Sequence, residues 1–529
     1  GFRQMKRLYG WLASSSWWTR SAVALILGVL ATAAMAPFYW VFLLIPAFTG
    51  LHWLIISSRN MRAAACVGWW FGFGYFASGL MWISNALVIS LEKFGPPMTA
   101  MATPAVFVLA AGFALYPALA ALLSNRLGRR LTNVGQVLVL AAAWTTIEWL
   151  RGWLLTGFAW NPIGAAWVFS DAMIQSTALV GVYGLGLLTV ITAAMPGVLG
   201  LGGNSKPVVI GFILIGLVWA GGAMRLAGAS VEMVEDVRLR LVQPNISQRD
   251  KWRATLRRDN LVEQVRMSTA PGAGAVLPTH VIWSETSAVY VLDIDRGARN
   301  MLTAAVPDGG LLITGAPRAT PRSAPARRVW NSLHALNADG EITATYDKQH
   351  LVPFGEYVPL KNLLGLKKLT EGLTDFTPGP GIRTLKLDGL PPFSPMICYE
   401  VIFSGRVTDR QARPEWLLNI TNDAWYGTRT GPYQHFDQAR LRAAEEGLPM
   451  ARVAGTGISA IIDGYGRVLG KLDLGTKGVL DGGLPRPPGD WTLYGRLADW
   501  LVGLLVLVTI GVGFLMPGRP QDGISWKSI

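Results

Sequence analysis

Cys398 is one of two cysteines in the chain, the other being Cys66, and it is the only one in the polar half. A thiol attacks well once a base or a cation lowers the cost of forming thiolate. Residues 394–400 read Ser-Pro-Met-Ile-Cys-Tyr-Glu, a strand ending at Cys398 and then a turn. A nucleophile at such a turn is presented to a cleft, and the amide N–H of Tyr399 can face a developing oxyanion. Glu285 follows the apolar run Val281-Ile282-Trp283 in Trp-Ser-Glu-Thr-Ser. Desolvation past a buried strand raises a carboxyl pKa and fits the group to accept a proton. Lys348 lies in Tyr-Asp-Lys-Gln-His-Leu-Val-Pro-Phe-Gly-Glu-Tyr-Val-Pro. Its cation can stabilise an oxyanion and lower the thiol pKa. Pro353, Gly355 and Pro359 stiffen that loop, where Glu356 can orient Lys348 or a substrate amine. Each residue also has an ordinary alternative: an inert buried cysteine, a strand-end surface glutamate, a solvated lysine.

These residues need elements to hold them, and the composition places many of those elements in lipid. Of 529 residues, 51% are hydrophobic and only 15% charged, with mean hydropathy +0.34. Soluble domains carry about 25% charge. Residues 21–58 lack Asp, Glu, Lys and Arg, too long a run for one span of about 20 residues. Pro37 near its middle suits a turn between two helices. Further uncharged runs follow at 63–91, 94–125, 131–147, 172–205, 207–224 and 501–518. This predicts about eight spans. Basic residues favour the cytoplasmic side of short loops. With the N-terminus inside, the clusters Arg3–Arg20, Arg59/Arg62, Arg126–Arg130, Lys206 and Arg519/Lys527 all fall inside. Treating 21–58 as one helix would invert every later cluster. The stretch 148–171, with Glu148 and Arg151 beside Trp and Gly, reads as interfacial or re-entrant. Lipid permits that only where the backbone is paired within protein. No signal-peptide cleavage pattern is read at the start of the sequence.

The segment 226–497, between the seventh and eighth spans, alternates short β-type runs with helical patterns. The runs are 237–242, 281–283, 311–314, 332–336, 396–397 and 416–419; the helical patterns are 252–268, 295–305 and 434–448. That alternation predicts a layered α/β domain. The stretch 359–376 mixes Leu with Lys and suits a membrane-facing arm or an ordinary surface helix.

Taken in the order Glu285, Lys348, Cys398, these flanks resemble the Glu-Lys-Cys triad of the nitrilase superfamily. Asn-Ile-Thr-Asn-Asp-Ala-Trp-Tyr-Gly at 419–427 and the stretch 452–457 extend the resemblance over roughly 235–480. A nitrilase-like domain set between membrane spans is similar to the apolipoprotein N-acyltransferase family over nearly the whole chain. The resemblance implies a multi-pass helical membrane domain (1–225), an extramembrane αββα sandwich (226–495), and a last helix with a cytoplasmic tail (496–529). It implies Glu285 as general base, Lys348 as transition-state stabiliser and Cys398 as nucleophile. Glu356, Tyr399 and Glu400 would line the site. Trp252, in Gln-Arg-Asp-Lys-Trp, would lie near the substrate path, its plain alternative being a packing tryptophan. The implied reaction is ping-pong. A phospholipid, phosphatidylethanolamine by expectation, acylates Cys398, and the α-amine of a diacylated lipoprotein takes the acyl group. The implied setting is the bacterial inner membrane, with the catalytic domain periplasmic and both termini cytoplasmic. One departure stands out: Ala454 occupies a position where many nitrilase-like sequences carry Asn.

Several other functions fit poorly. The net charge of +14 is scattered between apolar runs rather than gathered on one face, which argues against nucleic-acid binding. The five histidines, His350 and His435 among them, are not spaced as metal ligands, and no metal or cofactor is expected. A membrane-anchored amidase would use the same triad but needs only one anchor helix. A transporter with a regulatory outer domain should carry ionisable residues within its spans, and these runs carry almost none.

Overall fold

The computed structural model describes residues 2–272, 277–321, 323–324, 326–359 and 375–516. Most of the amphipathic stretch at 359–376 therefore lies outside the described residues. The chain divides into two compact units: Gly1–Met81 with Thr103–Arg225 and Leu497–Ile529, and Trp82–Ala102 with Leu226–Arg496.

The first unit is helical. Among the described residues, three helices are long and apolar enough to cross a membrane: Pro96–Gly128, Thr177–Gly200 and Lys206–Ala227. The broken pair Met61–Gly79 and Ile83–Phe94 makes a fourth if it is one span. Shorter apolar helices cover Trp17–Thr32, Val41–Ile56 and Trp500–Phe514. Glycine sets how closely two of these helices approach. A Cβ on Gly28 would lie 2.0 Å from the Phe71 carbonyl oxygen, and one on Gly74 would lie 2.2 Å from that of Leu25. Small residues let apolar helices meet backbone to backbone, which compensates for the weak hydrophobic drive between helices in lipid. The C-terminal helix Trp500–Phe514 packs on Asn133–Arg151, where Trp149 Nε1 donates to Asp499 Oδ2 at 2.8 Å.

After Arg151 the helix breaks into short turns through Trp167. The side chains beside the break satisfy the freed backbone. Arg151 donates to the carbonyls of Phe158 and Trp160, and Glu148 Oε1 accepts from the Ile163 amide at 3.0 Å. The two charged residues near the fifth span thus pair irregular backbone, as its placement among apolar helices requires.

Among its described residues the second unit holds twelve strands: β1 (Met233–Gln243), β2 (His280–Trp283), β3 (Leu311–Ala319), β4 (Val329–Leu336), β5 (Ile342–Asp347), β6 (Leu385–Leu387), β7 (Leu390–Ile397), β8 (Trp416–Thr421), β9 (Met450–Ala454), β10 (Ser459–Ile462), β11 (Val468–Leu472) and β12 (Gly478–Pro485). They form two six-stranded sheets, ordered β12-β1-β2-β3-β4-β5 and β11-β10-β9-β8-β7-β6. The sheets face each other, β1 and β2 packing on β9 and β4 on β7. Parallel trios sit inside both: β1, β2 and β3 in one, β7, β8 and β9 in the other. Residues of β2 and β8 are buried throughout, as expected for parallel strands covered on both faces. An ion pair between the buried Arg240 and the more exposed Asp481 spans the β1–β12 register, with Arg240 Nε 2.7 Å from Asp481 Oδ1 on the facing residue.

Helices Arg257–Thr269 and Arg296–Leu302 cover the first sheet through Leu261, Met267, Ala298 and Leu302, which meet Val281, Trp283 and Leu312. Helix Thr430–Glu446 belongs to the second sheet's half and ends at Gly447, whose left-handed φ of +64° suits a glycine cap. The result is a four-layered αββα sandwich. Its loops at the carboxyl ends of the parallel strands converge, and the candidate catalytic residues lie there.

Candidate active site

Cys398 directly follows β7 and opens a short helical turn, Cys398–Ile402. Its φ is +52°, a left-handed conformation that few non-glycine residues adopt. Surrounding bonds must hold it there. Glu400 supplies several: Oε2 accepts from the Ile397 amide at 2.7 Å, and Oε1 accepts from the amides of Gln349 and His350 at 2.8 and 3.1 Å. Tyr346 Oη also donates to this carboxylate. Glu400 therefore ties the cysteine turn to the loop that carries Lys348. Burial pushes its carboxyl up to about 7, against the pull of the Ile397 amide. Tyr399 is buried, its ring against those of His350 and Phe403.

Glu285 stands two residues beyond β2. Its Oε1 accepts from Asn331 Nδ2 at 2.7 Å and its Oε2 from the Asn422 amide at 2.8 Å. Lys348 follows β5, and its amide donates to the Asn331 carbonyl on β4. The Lys348 ammonium lies 3.0 Å from Glu356 Oε1 and 3.7 Å from Glu285 Oε1. Asn331 Nδ2 also donates to Glu356, whose other oxygen accepts from the Val352 amide. Burial would depress the Lys348 ammonium, but Glu356 and then Glu285 outweigh it and keep it charged. The Cys398 thiol is pushed up to about 12, first by burial and then by the Glu285 carboxylate, with Lys348 opposing. Burial thus favours the neutral form of the thiol, and the flanking glutamates favour the charged form of Lys348. The structure brings Glu285, Lys348, Cys398, Glu356 and Glu400 into one buried cluster. Trp252 is half-buried and caps the short helix Gln248–Lys251.

Other residues of the cluster are given no role by the sequence, although Asp423 and Tyr426 lie in the 419–427 motif and Arg452 opens the stretch 452–457. Tyr426 Oη lies 3.3 Å from the Cys398 sulfur. That tyrosine is held by Trp82, ring centroids 4.6 Å apart, while Asn85 Nδ2 donates to the Trp425 carbonyl. His435 faces two acceptors, Asp423 Oδ1 at 2.9 Å and the Cys398 carbonyl at 3.2 Å. Arg452 Nη2 donates to Asp423 Oδ2 at 2.8 Å. Burial would raise the Asp423 carboxyl, but Arg452 and His435 reverse that and hold it near 2. This fully buried trio supports the backbone of the nucleophile from behind. Removing one member of a buried ion pair strands its partner. Arg452→Ala is thus expected to cost about 3–5 kcal/mol of stability, read as a fall in unfolding temperature of the detergent-solubilised protein.

Residues 27–195 match the family described as the Apolipoprotein N-acyltransferase N-terminal domain, and residues 298–487 match Carbon-nitrogen hydrolase. The chain is 39% identical to an Apolipoprotein N-acyltransferase of Rhodopseudomonas palustris over 95% of its own length and 96% of that protein's. The chain belongs to the apolipoprotein N-acyltransferase family. It is also 37% identical to the Brucella suis Apolipoprotein N-acyltransferase, over 97% of this chain and 99% of the relative. Among solved structures it is similar to a CN-hydrolase superfamily protein from Xanthomonas campestris, at 20% identity and TM-score 0.34, covering 51% of this chain and 97% of that one.

In this member of the family both cysteines are free. Cys398 is buried, while Cys66 is exposed on helix Met61–Gly79. Cys66→Ala is expected to leave acyl transfer within about twofold of the parent, the scale of an ordinary exposed substitution. A large loss in a phospholipid-dependent assay would mean that the wrong thiol has been assigned.

Proposed function

We propose that this chain transfers a fatty acyl group from a phospholipid, through a thioester on Cys398, to the N-terminal α-amine of a diacylated lipoprotein. What carries the reading is the convergence of one thiol in a strained turn with a carboxylate and a carboxylate-locked ammonium, at the strand ends of two facing sheets. Family membership along nearly the full chain favours transfer to a lipoprotein over hydrolysis of a small amide.

In the first half-reaction Glu285 takes the thiol proton as sulfur attacks the ester carbonyl. The tetrahedral oxyanion is held by the Lys348 ammonium and a backbone N–H such as that of Tyr399. Collapse breaks the ester C–O bond, and Glu285 returns the proton to the departing lysophospholipid oxygen. In the second half-reaction the lipoprotein amine attacks the thioester and gives its proton to Glu285. The C–S bond breaks, and the sulfur regains a proton. Glu356 and Glu400 act as positioning residues, Glu356 on Lys348 and Glu400 on the cysteine turn. Trp252 borders the substrate path.

The reading also takes phosphatidylethanolamine as donor and about eight spans in a bacterial inner membrane. It places residues 226–495 on the periplasmic side, between the helices of 1–225 and the last helix in 496–529. The charge parity of the loops supports that topology. A membrane site suits the substrates, because each CH₂ drawn into water would cost about 0.8 kcal/mol. Mass spectrometry of the intact protein mixed with phospholipid tests the proposal. One added acyl mass should appear on the peptide containing Cys398; an unmodified peptide under turnover conditions would end the thioester mechanism.

A further inference from the structure

One group that touches the nucleophile takes no part in the steps above: the Tyr426 hydroxyl, 3.3 Å from the Cys398 sulfur. Tyr426 closes the short helical turn Asp423–Tyr426 that follows β8. It is buried, and its ring is gripped from two sides. The Trp82 ring meets it edge-on with centroids 4.6 Å apart, and the His435 ring does so at 5.3 Å. Gly431 lets the start of helix Thr430–Glu446 come close, since a Cβ there would lie 2.9 Å from both Tyr426 Cβ and Trp82 Cγ. Asp423 anchors the turn by accepting from Arg452 and from Thr421 Oγ1. The phenol oxygen is therefore fixed against the sulfur before a substrate arrives, as a preorganised donor must be. Thr421 also faces the thiol, but its hydroxyl hydrogen goes to Asp423 Oδ1 at 2.9 Å.

Burial, and then the Cys398 sulfur and Asp423, hold the phenol well above its ordinary range. It stays protonated, so toward an anionic sulfur it acts as a donor. The two half-reactions put charge on different atoms. As the acyl-enzyme forms, the ester C–O bond is the last to break. Negative charge then gathers on the departing alkoxide oxygen, while the sulfur is already bonded to carbon. As the acyl-enzyme is consumed, the C–S bond breaks and its electron pair stays on sulfur, where burial disfavours the anion. A donor fixed on the sulfur has its effect at that point, because only there does its bond strengthen on the way to the transition state.

We propose that Tyr426 is a catalytic residue of the transfer step, its O–H donating to the Cys398 sulfur as the C–S bond breaks. The inference rests on the acyl-enzyme reading above. The amine nitrogen bonds to the acyl carbon, and the sulfur leaves as thiolate. The proton that Glu285 took from the amine then passes to the sulfur, and Tyr426 keeps its own.

The test uses the full chain in nanodiscs and the variant Tyr426→Phe, which removes one oxygen and keeps the ring between Trp82 and His435. Mass spectrometry reads the half-reactions separately. Acyl mass is gained on Cys398 from phosphatidylethanolamine, then lost on addition of a diacylated lipopeptide. Acylation should stay within about twofold of the parent. Transfer at saturating lipopeptide should fall about tenfold, the scale of one hydrogen bond to a charged group, so that thioester accumulates during turnover. Alkylation by iodoacetamide at a fixed alkaline pH, which involves no lipid, should slow about threefold. A thiolate that has lost its donor forms less readily, and its greater nucleophilicity offsets only part of that. Unchanged transfer would overturn the proposal, as would unchanged or faster alkylation. An equal fall in both half-reactions would make Tyr426 a packing residue and overturn it too. Parent protein that gains no acyl mass from phospholipid would overturn the acyl-enzyme reading and the role of Tyr426 together; normal acylation of the parent with normal transfer by the variant would overturn the role of Tyr426 alone.

Discussion

Replacing Cys398 with alanine is expected to lower lipoprotein acylation by at least about 10⁴-fold, the scale seen when a covalent nucleophile is removed. The effect is large because every step of the proposed route passes through one sulfur. Without it the amine would have to attack a phospholipid ester directly, with no activated acyl intermediate. The fold should survive. Cys398 is a small side chain, and its turn is held by the Glu400 carboxylate and the Ile397 amide rather than by the sulfur. Cys398→Ser keeps the size and the Tyr426 contact but replaces the sulfur with a poorer nucleophile, and should also yield no trapped thioester. Substantial turnover by either variant, with unfolding temperature unchanged, would remove Cys398 from the chemistry.

The nitrilase-like sandwich was legible because its chemistry and its periodicities are local in sequence. The runs at 237–242, 281–283 and 416–419 lie inside β1, β2 and β8, and the helical patterns at 252–268 and 434–448 overlap real helices with shifted ends. Glu285, Lys348 and Cys398 stood out because each is a reactive type just past a short apolar run or in a stiff loop. Asn331 did not stand out, and Asn422 and Tyr426 were visible only as members of the 419–427 motif, with no role of their own. They are common polar residues, and only tertiary pairing brings the Asn331 amide to two carboxylates and the Tyr426 hydroxyl to the thiol. His435 shows in sequence only as a histidine without metal-ligand spacing, and its place against Asp423 and the Cys398 carbonyl could not be seen along the chain. The helices were harder than the strands. Hydropathy marks apolar runs but not where a helix breaks, and the turns after Arg151 depend on side-chain bonds from Glu148 and Arg151.

Glu285→Gln separates the proposed base from a merely structural carboxylate, because its two readouts move in opposite directions. The carboxylate accepts on both oxygens, from Asn331 and from the Asn422 amide. A glutamine must turn its NH₂ toward one of those donors and loses a bond, at a cost of about 1–3 kcal/mol, which a thermal-unfolding control would register. Lys348 keeps its Glu356 partner at 3.0 Å. Acyl-enzyme formation should slow by about 10²–10⁴-fold, the range of general-base catalysis. The thiol itself should become more acidic. Burial and then the Glu285 anion raise its pKa, while Lys348 lowers it, so removing the anion moves the pKa down from about 12. More thiolate at a fixed alkaline pH means faster alkylation by iodoacetamide. A variant that alkylates faster yet acylates far more slowly has lost a proton acceptor rather than a fold. If both rates fell together, Glu285 would be holding the site in shape, and the proton would have to leave the sulfur by another route.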